Sequence, residues 1–83
     1  MKYTFELEAI NAKKGKLPRD ERYDITQYIA STSVEASDEK KAIRLLANQV
    51  NGKLSRDSDD IHAIITLPDY GNCQLVIRTH PAV

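Results

Sequence analysis

Polar and apolar residues alternate from Tyr3 to Ile10, with Tyr3, Phe5, Leu7 and Ala9 of one parity and Thr4, Glu6, Glu8 and Ile10 of the other. A period of two marks a strand with one buried face, so a first strand is predicted over 3–10. From Asn11 to Arg22, Gly15, Pro18 and a crowd of charges interrupt every period, and this stretch reads as a long exposed loop.

Residues 23–34 are rich in Ile, Tyr, Thr and Val, with Tyr23, Ile25 and Ile29 of one parity and Tyr28, Ala30 and Val34 of the other. This composition predicts a second, bulged strand. A short helical turn over 24–30 competes with it, because Ile25 and Ile29 are also four apart. Helical spacing is unambiguous over 37–50, where Ser37 offers a capping hydroxyl and Asp38 and Glu39 occupy the first turn. Ile43, Leu46, Ala47 and Val50 then form one apolar stripe, and Gly52 supplies a stop. Two further apolar runs, 61–67 and 73–79, flank Pro68-Asp69-Tyr70-Gly71-Asn72, whose residues suit the turn of a β-hairpin.

The predicted order is β-β-α-β-β. A helix carrying one apolar stripe and strands carrying one apolar face are covered together when the helix lies across a sheet, so the expected fold is α+β: a four-stranded antiparallel sheet with one helix on one face. All 83 residues are assigned to one domain, a size at which little more than half of the unfolded chain's surface is buried.

Composition narrows the function classes. Twelve Lys and Arg against twelve Asp and Glu leave no net charge to steer the whole molecule toward nucleic acid or an anionic membrane, and too few carboxylates for nucleic-acid mimicry. Electrostatic recognition must therefore be local. A single cysteine, Cys73, cannot form an internal disulfide, which points to a reducing, cytoplasmic setting. The alternating N-terminus has neither the apolar run of a signal peptide nor that of a membrane span.

Candidate chemistry is sparse. His62 and His80 fall on the two hairpin strands and would occupy neighbouring rungs of one face, but two ligands do not make a metal site. Cys73 shares parity with Leu75 and Ile77 and reads as a buried structural thiol. Asp57-Ser58-Asp59-Asp60 lacks the glycine and glutamate that would complete a calcium loop. Glu6 and Glu8 lie on a polar strand face where water keeps both ionised. No catalytic residue, metal ligand or cofactor is expected, so the chain is read as a non-enzyme.

Two features suit binding. Lys13, Lys14, Lys16, Arg19 and Arg22 concentrate positive charge in the predicted loop, where they would meet phosphates or an acidic protein surface. Tyr28 and Tyr70 are the aromatic candidates, expected on the sheet face away from the helix as interface anchors or a stacking platform. The leading expectation is a small protein-binding module that occludes a larger, nucleic-acid-handling protein or nucleoprotein complex. Alternatives are a nucleic-acid-binding domain using the basic segment 13–22, and a structural homodimer that pairs edge strands. The strand-strand-helix-strand-strand layout resembles many bacteriophage accessory proteins, some anti-CRISPR inhibitors among them. That resemblance implies a nucleoprotein target contacted by the basic or the acidic segment.

Overall fold

A computed structural model describes residues 1–11, 17–56, 58–59 and 61–82. The elements are β1 (Lys2–Asn11), α1 (Arg19–Ser31), β2 (Ser33–Glu35), α2 (Glu39–Gln49), β3 (Lys53–Leu54), β4 (His62–Leu67) and β5 (Cys73–Ala82). A 3-10 turn over Pro68–Tyr70 joins β4 to β5. The five strands form one antiparallel sheet in the order β2-β1-β5-β4-β3, with the ten-residue strands β1 and β5 at its centre. The α+β class, the first strand, the central helix and the closing hairpin follow the sequence pattern. The count differs, with five strands and two helices among the described residues in place of four and one.

The main helix, α2, buries Ala42, Ile43, Leu46 and Ala47 against Tyr3, Phe5, Ile65, Leu67, Leu75 and Ile77. It touches both β2 and β3, the strands at opposite ends of the sheet order, so the sheet curls around it. Its first turn is capped by Asp38, one residue later than Ser37: the Asp38 carboxylate accepts from the Lys41 amide at 2.9 Å. At the other end Asn51 takes the left-handed conformation at φ 57°. The Asn51 amide donates to the Asn48 carbonyl (3.2 Å) and the Gly52 amide to the Ala47 carbonyl (2.8 Å), the pairing of a Schellman motif. Gly52 is needed for space, since a Cβ there would run into the Ile65 side chain and crowd the Thr66 carbonyl oxygen.

The predicted strand over 23–34 is overturned. Only Ser33–Glu35 is extended, and α1 occupies most of that segment. Arg19 and Arg22 accordingly belong to a helix and not to a loop. The competing helical turn over 24–30 was the correct element but too short. Three hydroxyls reconcile its β-branched and polar composition with helix. Thr26 donates to the Arg22 carbonyl (2.7 Å), Ser31 to that of Gln27 (2.8 Å) and Thr32 to that of Tyr28 (2.6 Å). Asp20 and Glu21 favour the first turn through the helix dipole, and Ile29 anchors the helix in the core.

One irregularity in β1 corrects the face assignment. The β1–β5 register shifts between Leu7 and Ala9, so Ala9 stands opposite Val76, while Ile10, opposite Leu75, packs against the core. A bulge at Glu8 produces this by adding one residue to the strand, which inverts the parity of everything after it. The β4 edge beyond β3 is closed by its own loop. The Ser55 amide donates to the Ile64 carbonyl, the Ile64 amide to the Ser58 hydroxyl and the Asp59 amide to the His62 carbonyl. No helix of the described residues is long and apolar enough to cross a membrane.

Gly52→Ala is expected to lower stability in urea unfolding by roughly 1–3 kcal/mol, the usual cost of overpacking a filled site. Asn51→Gly should leave stability unchanged or slightly raised, because glycine adopts the left-handed conformation without steric cost.

Candidate functional site

The helical reading of 19–31 changes what the side chains can do together. Glu21, Asp24, Ile25 and Tyr28 fall at i, i+3, i+4 and i+7 and therefore share one face of α1. That face forms one wall of a cleft of about 330 Å³. The end of α2 contributes Gln49, Val50 and Asn51, and the β4–β5 connection contributes Leu67, Asp69 and Tyr70. The Schellman turn and the 3-10 turn, whose Gly71 and Asn72 have φ of 65° and 63°, set these last two groups in place.

One phenol ties two walls together: the Tyr28 hydroxyl donates to Gln49 Oε1 at 2.9 Å, linking α1 to α2. Tyr70, from the hairpin turn, lies beside Glu21 of α1. Ile25, Val50 and Leu67 are the apolar members of the lining, while Glu21, Asp24 and Asp69 bring carboxylates from two elements. Among the described residues no Lys, Arg or His lines the cleft, and no basic residue occupies the last turn of α2, where the helix dipole is negative. The described lining of the cleft is therefore acidic in a molecule with no net charge.

Burial pushes the Tyr70 phenol above its ordinary 10.0, helped by the Glu21 carboxylate beside it and by the nearby negative charge of Asp69. All of these favour the neutral phenol over the phenolate. Tyr28 is 42% exposed, so its ring remains accessible from solvent while its hydroxyl is fixed.

The structure brings together two of the residues singled out in the sequence, Tyr28 and Tyr70, at a different place from that expected. Neither lies on the open sheet face: one is on α1 and the other in the hairpin turn. Lys13, Lys14 and Lys16 lie outside the described residues. Arg19 and Arg22 stand one turn apart on α1 and are not part of the cleft lining. Glu21, Asp24, Gln49 and Asp69 were missed. A 3.6-residue reading of 19–31 would have placed the first two beside Tyr28, whereas the approach of Gln49 and Asp69 is a tertiary contact without a local signal.

The sheet face turned away from the helices carries a row of charge. His62 Nε2 lies 2.6 Å from Glu8 Oε2, Arg78 Nη1 3.6 Å from Glu8 Oε1, and His80 Nε2 3.1 Å from Glu6 Oε1. Glu8, at the bulge, thus meets two partners. The two histidines do share this face, each against a carboxylate, and no group of three or more metal-ligating side chains occurs among the described residues. Asp59 accepts from the Ile61 and His62 amides at 2.8 and 2.6 Å; hydrogen bonding from the His62 and Ile61 backbone lowers its carboxyl below the ordinary range. Of the Asp57–Asp60 segment only Ser58 and Asp59 are described. Cys73 is buried beside the inner face, and burial raises its thiol, which suits packing rather than nucleophilic attack.

No protein-family model matches the chain, and no curated protein or solved structure is significantly similar to it.

Absorbance titration at the phenolate band should show one tyrosine ionising later than an ordinary phenol, and Tyr70→Phe should remove that component. Glu21→Gln should bring it closer to the ordinary value. Because the folded-state value is raised, the associated stability is present below pH 10.0 and is lost as pH climbs through the folded value. Stability of the wild type should thus fall more steeply above pH 10.0 than that of Tyr70→Phe.

Proposed function

We propose that this chain is a non-enzymatic protein-binding module whose cleft between α1, the end of α2 and the hairpin turn receives a positively charged side chain of a larger protein. The observation that carries this reading is the meeting of Tyr28 and Tyr70 with Glu21, Asp24 and Asp69 around apolar residues, without a basic residue among the described lining. Aromatic anchors beside an apolar surface are the usual centre of an interface, and carboxylates with ring faces select cations. Cys73, the chain's one thiol, is buried and is not part of the lining.

A nucleic-acid-handling target fits this chemistry, because such proteins expose Lys and Arg for phosphate contacts, and a competitor that engages those residues occludes the site. A free, buried Cys73 is compatible with action in a reducing cytoplasm. The likeness to phage accessory proteins rested on a β-β-α-β-β order that the fold does not have, so it adds nothing to the reading. Direct nucleic-acid binding draws less support. Arg19 and Arg22 share α1 with Asp20, Glu21 and Asp24, whose carboxylates offset their charge. Edge-strand dimerisation would have to avoid β4, whose edge groups are engaged by residues 55–59.

The test is quantitative capture of partners by the tagged protein from cells that express it, after nuclease treatment, comparing wild type with two double variants. Asp24→Lys with Asp69→Lys should reduce retention at least tenfold, about 1.4 kcal/mol, while leaving the circular dichroism spectrum unchanged. Arg19→Ala with Arg22→Ala should retain partners normally. The opposite pattern would move the contact to the basic segment.

A further inference from the structure

We infer that the cation the cleft receives is an arginine guanidinium of the partner protein, in preference to a lysine ammonium; this rests on the cleft being the binding surface. The acceptors stand on separate walls. Glu21 and Asp24 come from α1 and Asp69 from the hairpin turn, with Ile25, Val50 and Leu67 among the residues between. A guanidinium carries five donors along the edges of a plane and so can address carboxylates on opposing sides, whereas an ammonium is a point donor whose three hydrogens diverge from one atom. Apolar lining favours the same choice, because an ammonium gives up a stronger hydration shell when it is brought against such surface.

The tyrosines add a geometric reason. The Tyr28 hydroxyl is held by Gln49, and Tyr70 stands half-buried in the hairpin turn beside Glu21, so both rings line the cleft before a ligand arrives. A planar guanidinium stacks on such rings, and cation–π pairs in proteins more often involve arginine than lysine. The Glu21 carboxylate has acceptor capacity to offer, since an ionised carboxylate presents about four lone-pair sites. At about 330 Å³ the cleft is near the lower limit of small-ligand sites, ~300–1,000 Å³, and suits one long side chain with its adjoining backbone.

The experiment is a nitrogen-15 amide titration of the full chain with three blocked tripeptides, Gly-Arg-Gly, Gly-Lys-Gly and Gly-citrulline-Gly, at low salt. The arginine peptide should perturb the amides of Glu21, Asp24, Asn51, Asp69 and Tyr70 and bind at least about tenfold more tightly than the lysine peptide. Citrulline, which keeps the planar group without the charge, should produce no saturable shift. Equal affinity for arginine and lysine peptides would overturn the guanidinium assignment and leave the cation-binding cleft standing. Equal binding of citrulline and arginine, or shifts that avoid the cleft for every peptide, would overturn both.

Discussion

The burial of one face of α2 inside a curled sheet is the constraint on which the remaining structure depends. Ala42, Ile43, Leu46 and Ala47 occupy the interior, and contact with β2 and β3 fixes how far the two ends of the sheet bend. A short chain has few other ways of enclosing a core, because so little of its surface can be buried. The tight C-terminal turn at Asn51–Gly52 belongs to the same arrangement. It brings the chain directly from the helix to the Ile65–Leu67 region of β4, so close that residue 52 has no room for a side chain. The cleft is a by-product of that path: the end of α2, the β4–β5 connection and one face of α1 meet around it.

The pattern of apolar residues revealed α2 and the β4–β5 hairpin because each repeats one period over its whole length. It failed at 23–34 for a physical reason. Ile25 and Ile29 satisfy a period of two and a period near four equally well, and Thr26, Ser31 and Thr32 have the composition of a strand. Their hydroxyls meet carbonyls of the preceding turn, a local hydrogen-bonding choice that composition does not display. The face reversal after Glu8 was illegible for a related reason, since a bulge leaves the alternation of residue types intact while changing which side of the sheet they reach. The two-residue strand β3 pairs only through Lys53 and Leu54, too short a run to carry a period.

Tyr28 and Tyr70 were legible as aromatic anchors, but their meeting was not, because it depends on 19–31 being helical. The acidic character of the site follows from the same helix, which directs Glu21 and Asp24 to the Tyr28 side. Charge is balanced over the molecule yet separated in space. Glu6 and Glu8 are engaged by His80, His62 and Arg78 on the far sheet face. The carboxylates at the cleft have no basic side chain among its described lining. Neutral composition and a locally acidic cleft are therefore compatible.

Site-specific photo-crosslinking addresses the location of binding most directly. A photoreactive phenylalanine analogue would be placed at position 28, in the cleft, and separately at position 76, on the far sheet face, and each protein irradiated in the cells that express it. Adducts from position 28, mapping to an arginine- or lysine-bearing segment of one protein, with none from position 76, are the expected result. Adducts from position 76 alone would contradict binding at the cleft and place the working surface on the open sheet.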